Sequence, residues 1–416
     1  MKPTDIPAIY IPDILLPRKG TDMSKWAVIA CDQYTSEPEY WKKCDEIVGD
    51  APSALRIILP EVKLGNETPE QLQADLDAIA ESISDYTANG IWDEPMTGFI
   101  LTDRSTPLHP SRQGIVLAID LEQYSYEPGN KMAIRATEGT VLSRIPPRVK
   151  IRQNASVELP HVMLLYDDPG NKVIGAAENC PSTLVYDTDL MQNSGHIKGL
   201  FIDGNSEGAA KIAKAFGEVT SSDGLLFAVG DGNHSLASAK AHWENVKKTL
   251  SGDDLKTHPA RFALAEAVNI HDKGLDFEPI HRVIFDMTRE RFLELAKEFF
   301  KDNGLTEGNG GKQSFTVVSD GEDDLVLSLD NPPHSLSVGS VQQLIDSFNL
   351  ECDYIHGEDS VRKLSKGNTI GILVPGISKD TFFRTIECDG VFPRKTFSMG
   401  EAFEKRFYLE ARRIVK

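Results

Sequence analysis

Apolar residues fall along this chain in short runs broken by turn residues, and two spacings stand out. Between Thr68 and Gly90, Leu72, Leu76, Ile79 and Ile83 recur every three or four residues, which predicts a helix with a single apolar stripe. Thr68 as cap, Pro69 in the first turn and Gln71 completing a capping box mark its start. Further helices are predicted around Ser206 to Phe216, from Thr288 with Phe292, Leu295, Ala296 and Phe299 facing inward, and near Val341 to Phe348. The remaining runs are short and read as strands: "WAVIA" from Trp26, "ALRIILPEV", "GFILTD", "GIVLAIDLEQY", "HVMLLYDD" and "TIGILVPG", with "SFTVVSD" and "DLVLSLD" forming a hairpin. The tail "DGVFPRKTFSMGEAFEKRFYLEARRIVK" predicts a helix beginning near Met399.

Mixed strands and helices point to an α/β to α+β chain, and 416 residues exceed one ordinary core. Four segments are expected: 1–125, an N-terminal α/β segment; 126–286, the core; 287–385, a smaller α+β subdomain; and 386–416, a C-terminal helix returning to the core.

The stretch "LLFAVGDGNHSLASAKAHW", residues 225 to 243, joins a buried strand to a helix through Gly230-Asp231-Gly232-Asn233-His234-Ser235. Such a turn aims free N–H groups and the positive end of the helix dipole at one spot, where anions bind. Asp231 adds a metal ligand or base, Asn233 an amide and His234 a titratable imidazole. An ordinary strand-to-helix connection uses the same turn residues. Two further polar clusters sit at strand ends, Asn269, His271 and Asp272 in one and His281-Arg282 in the other, as on an active-site rim.

Charge narrows the choice of partner. The formal net charge of −19 repels a phosphate backbone, so nucleic acid is not an expected partner. Within this acidic chain, "IRATEGTVLSRIPPRVKIR" gathers Arg135, Arg144, Arg148, Lys150 and Arg152, a candidate grip for phosphate or carboxylate. Its alternative is a solvated strand pair with charges facing water. No apolar run reaches membrane-helix length and no signal sequence is evident, so a cytoplasmic protein is expected. Five scattered cysteines without a CxxC pair predict neither disulfides nor zinc.

The stretches "GDGNHSLASA", "RIPPRVKIR", "ELPHVMLLYDDP", "NIHDKGLDFEPIHR", "YIHGEDSV" and "PRKTFSMGEAFEKRFYLEARR" together resemble domain-of-unknown-function family 1015, in the ParB and sulfiredoxin-like superfamily. The resemblance implies a ParB/sulfiredoxin-like nucleotide-binding core, and some relatives phosphorylate free serine. Relatives commonly carry Asp-Gly-His-His-Arg where this chain has Asp231-Gly232-Asn233-His234-Ser235, so an arginine is missing at Ser235. Arg144, Arg148, Arg152 or Arg282 would then supply the phosphate charge, with His281 and Lys395 nearby in the expected pocket. Sulfiredoxins place a reactive cysteine where Asn233 stands, which argues against sulfinic acid repair. No helix-turn-helix domain of the DNA-partition relatives is found.

Phosphoryl transfer needs cations, backbone N–H groups, magnesium and a base near the attacking hydroxyl. Asp231 or Asp272 is expected to hold Mg2+, and His234 to act at the turn. The resemblance places the base at Asp32, with Glu358 of "HGED" competing. The expected function is a kinase using ATP, or ADP or CTP, on a small hydroxylated metabolite such as free L-serine. A nucleotide-binding regulator without turnover is the alternative, and a third possibility is that the polar clusters never converge.

Overall fold

A computed structural model describes residues 1–416 apart from 64–66, 141, 143, 144 and 154, so the expected cation Arg144 lies outside the described residues. The chain divides into two compact units, Met1–Leu275 with Glu401–Lys416, and Asp276–Gly400. No helix among the described residues is long and apolar enough to cross a membrane.

The first unit is a mixed α/β body on one large sheet. Its main strands are β1 (Met96–Ser105), β2 (Gln113–Asp120), β3 (Tyr124–Ser125), β4 (Ile134–Ala136), β5 (Met163–Tyr166), β6 (Thr183–Asp189), β7 (His196–Asp203), β8 (Phe227–Asp231) and β9 (Phe262–Asn269). They lie in the order β6-β7-β1-β2-β9-β5-β8-β4-β3. The β5–β9, β8–β4 and β4–β3 pairs are parallel; the others are antiparallel. Period-two alternation splits the strands between two cores. Phe99, Leu101, Ile115, Leu117 and Ala265 join one core, and Ile100, Val116 and Leu264 the other.

Helices cover these faces. α1 (Pro69–Ala88) begins with the expected Thr68–Gln71 capping box and buries Ile79 and Ile83 in the second core. α2 (Ile145–Gln153), α3 (Lys172–Glu178), α4 (Glu207–Glu218, capped by Ser206) and α5 (Asn233–Lys247) follow. The basic stretch thus contributes the short strand β4 and a helix, α2, rather than a pair of strands.

Two expected elements differ for identifiable reasons. "ALRIILPEV" forms the 3-10 turns Ala54–Ile57 and Glu61–Lys63 instead of a strand. Ala54, Ile57, Ile58 and Leu59 are all buried, so this apolar run reflects burial on every side, which periodicity cannot separate from a strand. The expected tail helix is also absent. After a 3-10 turn at Ala402–Glu404, Phe407–Tyr408 pairs with Val28–Ile29, and Arg412–Arg413 pairs with Val157–Glu158. This strap is buried from Glu404 to Arg412. Arg104 donates to the carbonyls of Phe403 and Lys405, Arg112 donates to that of Glu404, and Arg406 pairs with Glu266 and Glu410. Extended backbone leaves those carbonyls for the guanidiniums, whereas a helix would have used them internally. Gly114 makes room for the network, because a Cβ there would meet Glu266 Oε1 at 2.5 Å.

The second unit is an antiparallel sheet with helices. Its strands are β10 (Phe277–Ile284), β11 (Leu305–Glu307), β12 (Gln313–Val318), β13 (Leu325–Leu329), β14 (Cys352–His356) and β15 (Ile370–Leu373), in the order β11-β13-β12-β15-β10-β14. The expected hairpin is β12–β13. Helices Arg289–Phe299, capped by Thr288, and Ser337–Ser347 bury Phe292, Leu295, Val341 and Leu344 in its core.

Candidate active site

β8 ends at Asp231, and Gly232, with φ 81°, turns the chain into α5. A left-handed turn suits glycine, and closeness demands it as well: a Cβ would lie 3.1 Å from Val162 Cα and 3.5 Å from His161 Cδ2. The turn therefore packs flush against the segment entering β5. Asp231 Oδ1 accepts the Gly232 N–H at 2.9 Å, and its Oδ2 lies 3.7 Å from Lys405 Nζ. Asn233 Nδ2 donates to Thr137 Oγ1 at 3.3 Å. Gly230 and His234 are half-buried, and the His234 carbonyl accepts from Ser238 Oγ at 2.6 Å.

The strand Val28–Ile29 delivers Asp32 to the same place. Asp32 Oδ1 accepts from Gln33 Nε2 at 3.1 Å and lies 3.9 Å from His161 Nε2. His161 Nδ1 is 2.6 Å from the Tyr408 hydroxyl, which accepts the Cys31 N–H at 3.3 Å. Assigning the phenolic proton to the imidazole contact leaves the ring's own proton on Nε2, towards Asp32. Burial opposes charge on Asp32, but His161, the Gln33 amide and Lys405 outweigh it and hold the carboxyl below its ordinary 3.8. Its neighbour Cys31 behaves oppositely: burial, with Asp32 beside it, pushes the thiol up to about 12, which removes it as a nucleophile. His161, Lys405 and Tyr408 were not singled out in the sequence as site residues. All three lie in stretches that carried the family resemblance, "ELPHVMLLYDDP" and "EKRFYLEARR".

Beside this cluster is a cavity of about 110 Å³. Arg148, Ile151 and Arg152 on one face of α2 line it, while Ile145 and Val149 on another face pack against Ala237 of α5. Ser235 and Ser238 of α5, together with Cys31, His161 and Tyr408, also line the cavity, and His161 lies 3.9 Å from Asp32. Two cations of the expected phosphate grip already have acidic partners. Arg148 pairs with Glu61, and Arg152 with Glu158, so both guanidiniums already face a carboxylate.

A family model described as "Protein of unknown function (DUF1015)" matches residues 15–348. The chain belongs to the DUF1015 family. No curated protein matches it. Similar solved structures include C-terminally truncated SbnI from Staphylococcus aureus, at 8% identity over 70% of this chain and 85% of that one, with a TM-score of 0.39. A free serine kinase in complex with AMP is 11% identical over 72% of this chain and 92% of its own, with a TM-score of 0.39. A conserved hypothetical protein from Pyrococcus furiosus is 11% identical over 70% and 93%, with a TM-score of 0.35.

In this DUF1015 chain the two expected metal ligands lie apart. Asp231 pairs across from Met163 at the start of β5, whereas Asn269, three residues before Asp272, pairs with Tyr166 at its end. Roughly 10 Å of strand separates those ends, too far for one ion. Asp272 instead accepts the N–H groups of Gln113 at 3.1 Å and Gly274 at 2.7 Å. Among the described residues no group of three or more His, Cys, Asp or Glu side chains is arranged to hold a metal. Asp231 and Asp32 both lie within the field of Lys405.

His281, Arg282, Glu358 and Lys395 belong to the second unit. Arg282 is fully buried, donates to the carbonyls of Ile280, Arg394 and Lys395, and stacks over Tyr354. These bonds make it a clamp within that unit. His281 Nδ1 accepts the Val374 N–H at 3.2 Å, and exposed Glu358 pairs with Arg362 at 2.6 Å. Lys395 is exposed at a left-handed φ of 54°.

Proposed function

We propose that this protein is a nucleotide-dependent small-molecule kinase built on a ParB/sulfiredoxin-like core. The observation that carries the reading is Asp32: a carboxylate held below its ordinary range by His161 and Lys405, next in sequence to Cys31 and 3.9 Å from His161, both of which line a cavity beside the glycine turn that opens a fifteen-residue helix. The first turn of α5 and Lys405 bind the phosphates of ATP, ADP or CTP. Asp231 would hold Mg2+ together with phosphate oxygens and water, and the ion when bound would neutralise phosphate charge. Asp32 takes the proton of the acceptor hydroxyl as the new O–P bond forms and the bridging P–O bond of the donor breaks, releasing a nucleotide one phosphate shorter. His161, held by Tyr408, orients that carboxylate. The family resemblance offers free L-serine as an acceptor to try first.

The test is to incubate the protein with Mg2+ and each donor against a panel of hydroxylated metabolites, L-serine included, and to follow phosphorus NMR. A phosphomonoester product is expected, and its absence with every donor sinks the proposal. The pairing of Arg148 and Arg152 with carboxylates favours a second reading, a nucleotide-binding regulator. Nucleotide binding by calorimetry without transfer or hydrolysis would select it.

A further inference from the structure

The cavity beside Asp32 has walls that poorly suit a polyphosphate. Ile57, Ile58, Leu59, Ile83, Ile151 and Val157 give it a hydrocarbon lining. Among its polar lining residues Glu158 serves two guanidiniums at once, those of Arg152 and Arg412. Arg152 Nε is buried there without a hydrogen-bond partner among the described residues. A buried donor without an acceptor is costly, and an acceptor oxygen on a ligand would relieve it. Burial, reinforced by Arg412, pushes the Arg152 guanidinium down to about 9, so an added anion is welcome. Cys31 and His161 form the wall next to Asp32. A molecule that reaches Asp32 past His161 places the rest of itself in this space.

We infer that the cavity binds the acceptor and that the acceptor is a hydroxy acid with a compact, branched apolar body. The carboxylate meets Arg152 Nε, the body lies against Ile83, Ile151 and Val157, and the hydroxyl faces Asp32. Free serine, with an ammonium group and no apolar body, leaves these walls unfilled. This inference rests on Asp32 being the base.

Calorimetry with 2-hydroxyisocaproate, L-serine and adenosine as probes, without nucleotide, tests it. The hydroxy acid is expected to bind about tenfold or more tightly than serine, and Arg152→Met to weaken it about tenfold. Ile151→Trp, which fills the space from half-buried α2, should abolish its binding. Asp32→Asn should leave binding within about threefold while ending transfer. Equal binding of serine, unchanged binding in both cavity variants, or adenosine binding that Ile151→Trp removes would each overturn the inference. Transfer to serine that Ile151→Trp leaves unaffected would overturn it while the kinase reading stands. Binding of the hydroxy acid without transfer from any donor would overturn the kinase reading and the acceptor role with it.

Discussion

The two ends of β5 carry similar residues and use them differently. At the far end, Asn269 Oδ1 accepts the N–H groups of Asp168 and His271, and its Nδ2 donates to the Asp168 carbonyl at 2.7 Å. Asp168 Oδ2 then accepts the Val173 N–H at 2.9 Å in the first turn of α3. These side chains bond to backbone and close loops. At the near end, His161 Nε2 lies 3.9 Å from Asp32 and Lys405 Nζ 3.7 Å from Asp231, and Asp32 and Asp231 remain partly open to water. Tight bonding of side chain to backbone marks architecture. Looser charged groups around a cavity leave valences for a ligand.

The sharpest way to break this contrast is Asp32→Asn. Transfer should fall about 10²- to 10⁴-fold while the melting temperature barely moves, measured by initial rates and scanning calorimetry. Because the Asp32 carboxyl titrates below 3.8, the base stays ionised as pH falls, and the acid limb of the rate profile should appear only below about pH 4. A collapse in stability with this substitution would place Asp32 with the architectural residues.

The complementary change is Asn269→Ala. It strips partners from two buried N–H groups and a carbonyl and should cost about 2–4 kcal/mol in urea unfolding, with nucleotide binding retained by the folded fraction. Loss of binding at full stability would make the far end functional.

A third test follows α5 away from the near end. His242 is buried, and burial, with Arg152 and His258 nearby, lowers it from 6.5 to about 4. The unfolded chain therefore takes up a proton between those values while the folded one does not, so stability is full above pH 6.5 and falls as pH drops towards 4. The expected loss is about 2–3 kcal/mol, and His242→Gln should flatten it. The smallest effect should come from His271→Gln. Its partner Asp167 is 44% exposed, so stability should change by less than about 0.5 kcal/mol and transfer not at all.

Local chemistry explains what was readable in the sequence. The Thr68–Gln71 box, the Ser206 and Thr288 caps and the β12–β13 hairpin rest on residues a few positions apart. The strap 401–413 was unreadable for the opposite reason. Its alternation of charge and hydrocarbon suits an exposed helix, and only Arg104, Arg112 and Glu266, all distant in sequence, make it extended and buried. His161 and Lys405 escaped notice likewise, because neither has a neighbour in sequence that declares a site.

The sequence by itself determined the family, the strand-to-helix turn at Asp231-Gly232 and most helix starts, because caps, glycine turns and hydrophobic periods act over one or two turns of chain. Only the tertiary structure decided that Asp32 meets His161 and Lys405, that Asp231 and Asp272 face opposite ends of β5, and that Arg148 and Arg152 are already paired. Those outcomes depend on which distant charges a buried sheet brings within a few ångströms, where burial makes each pairing count.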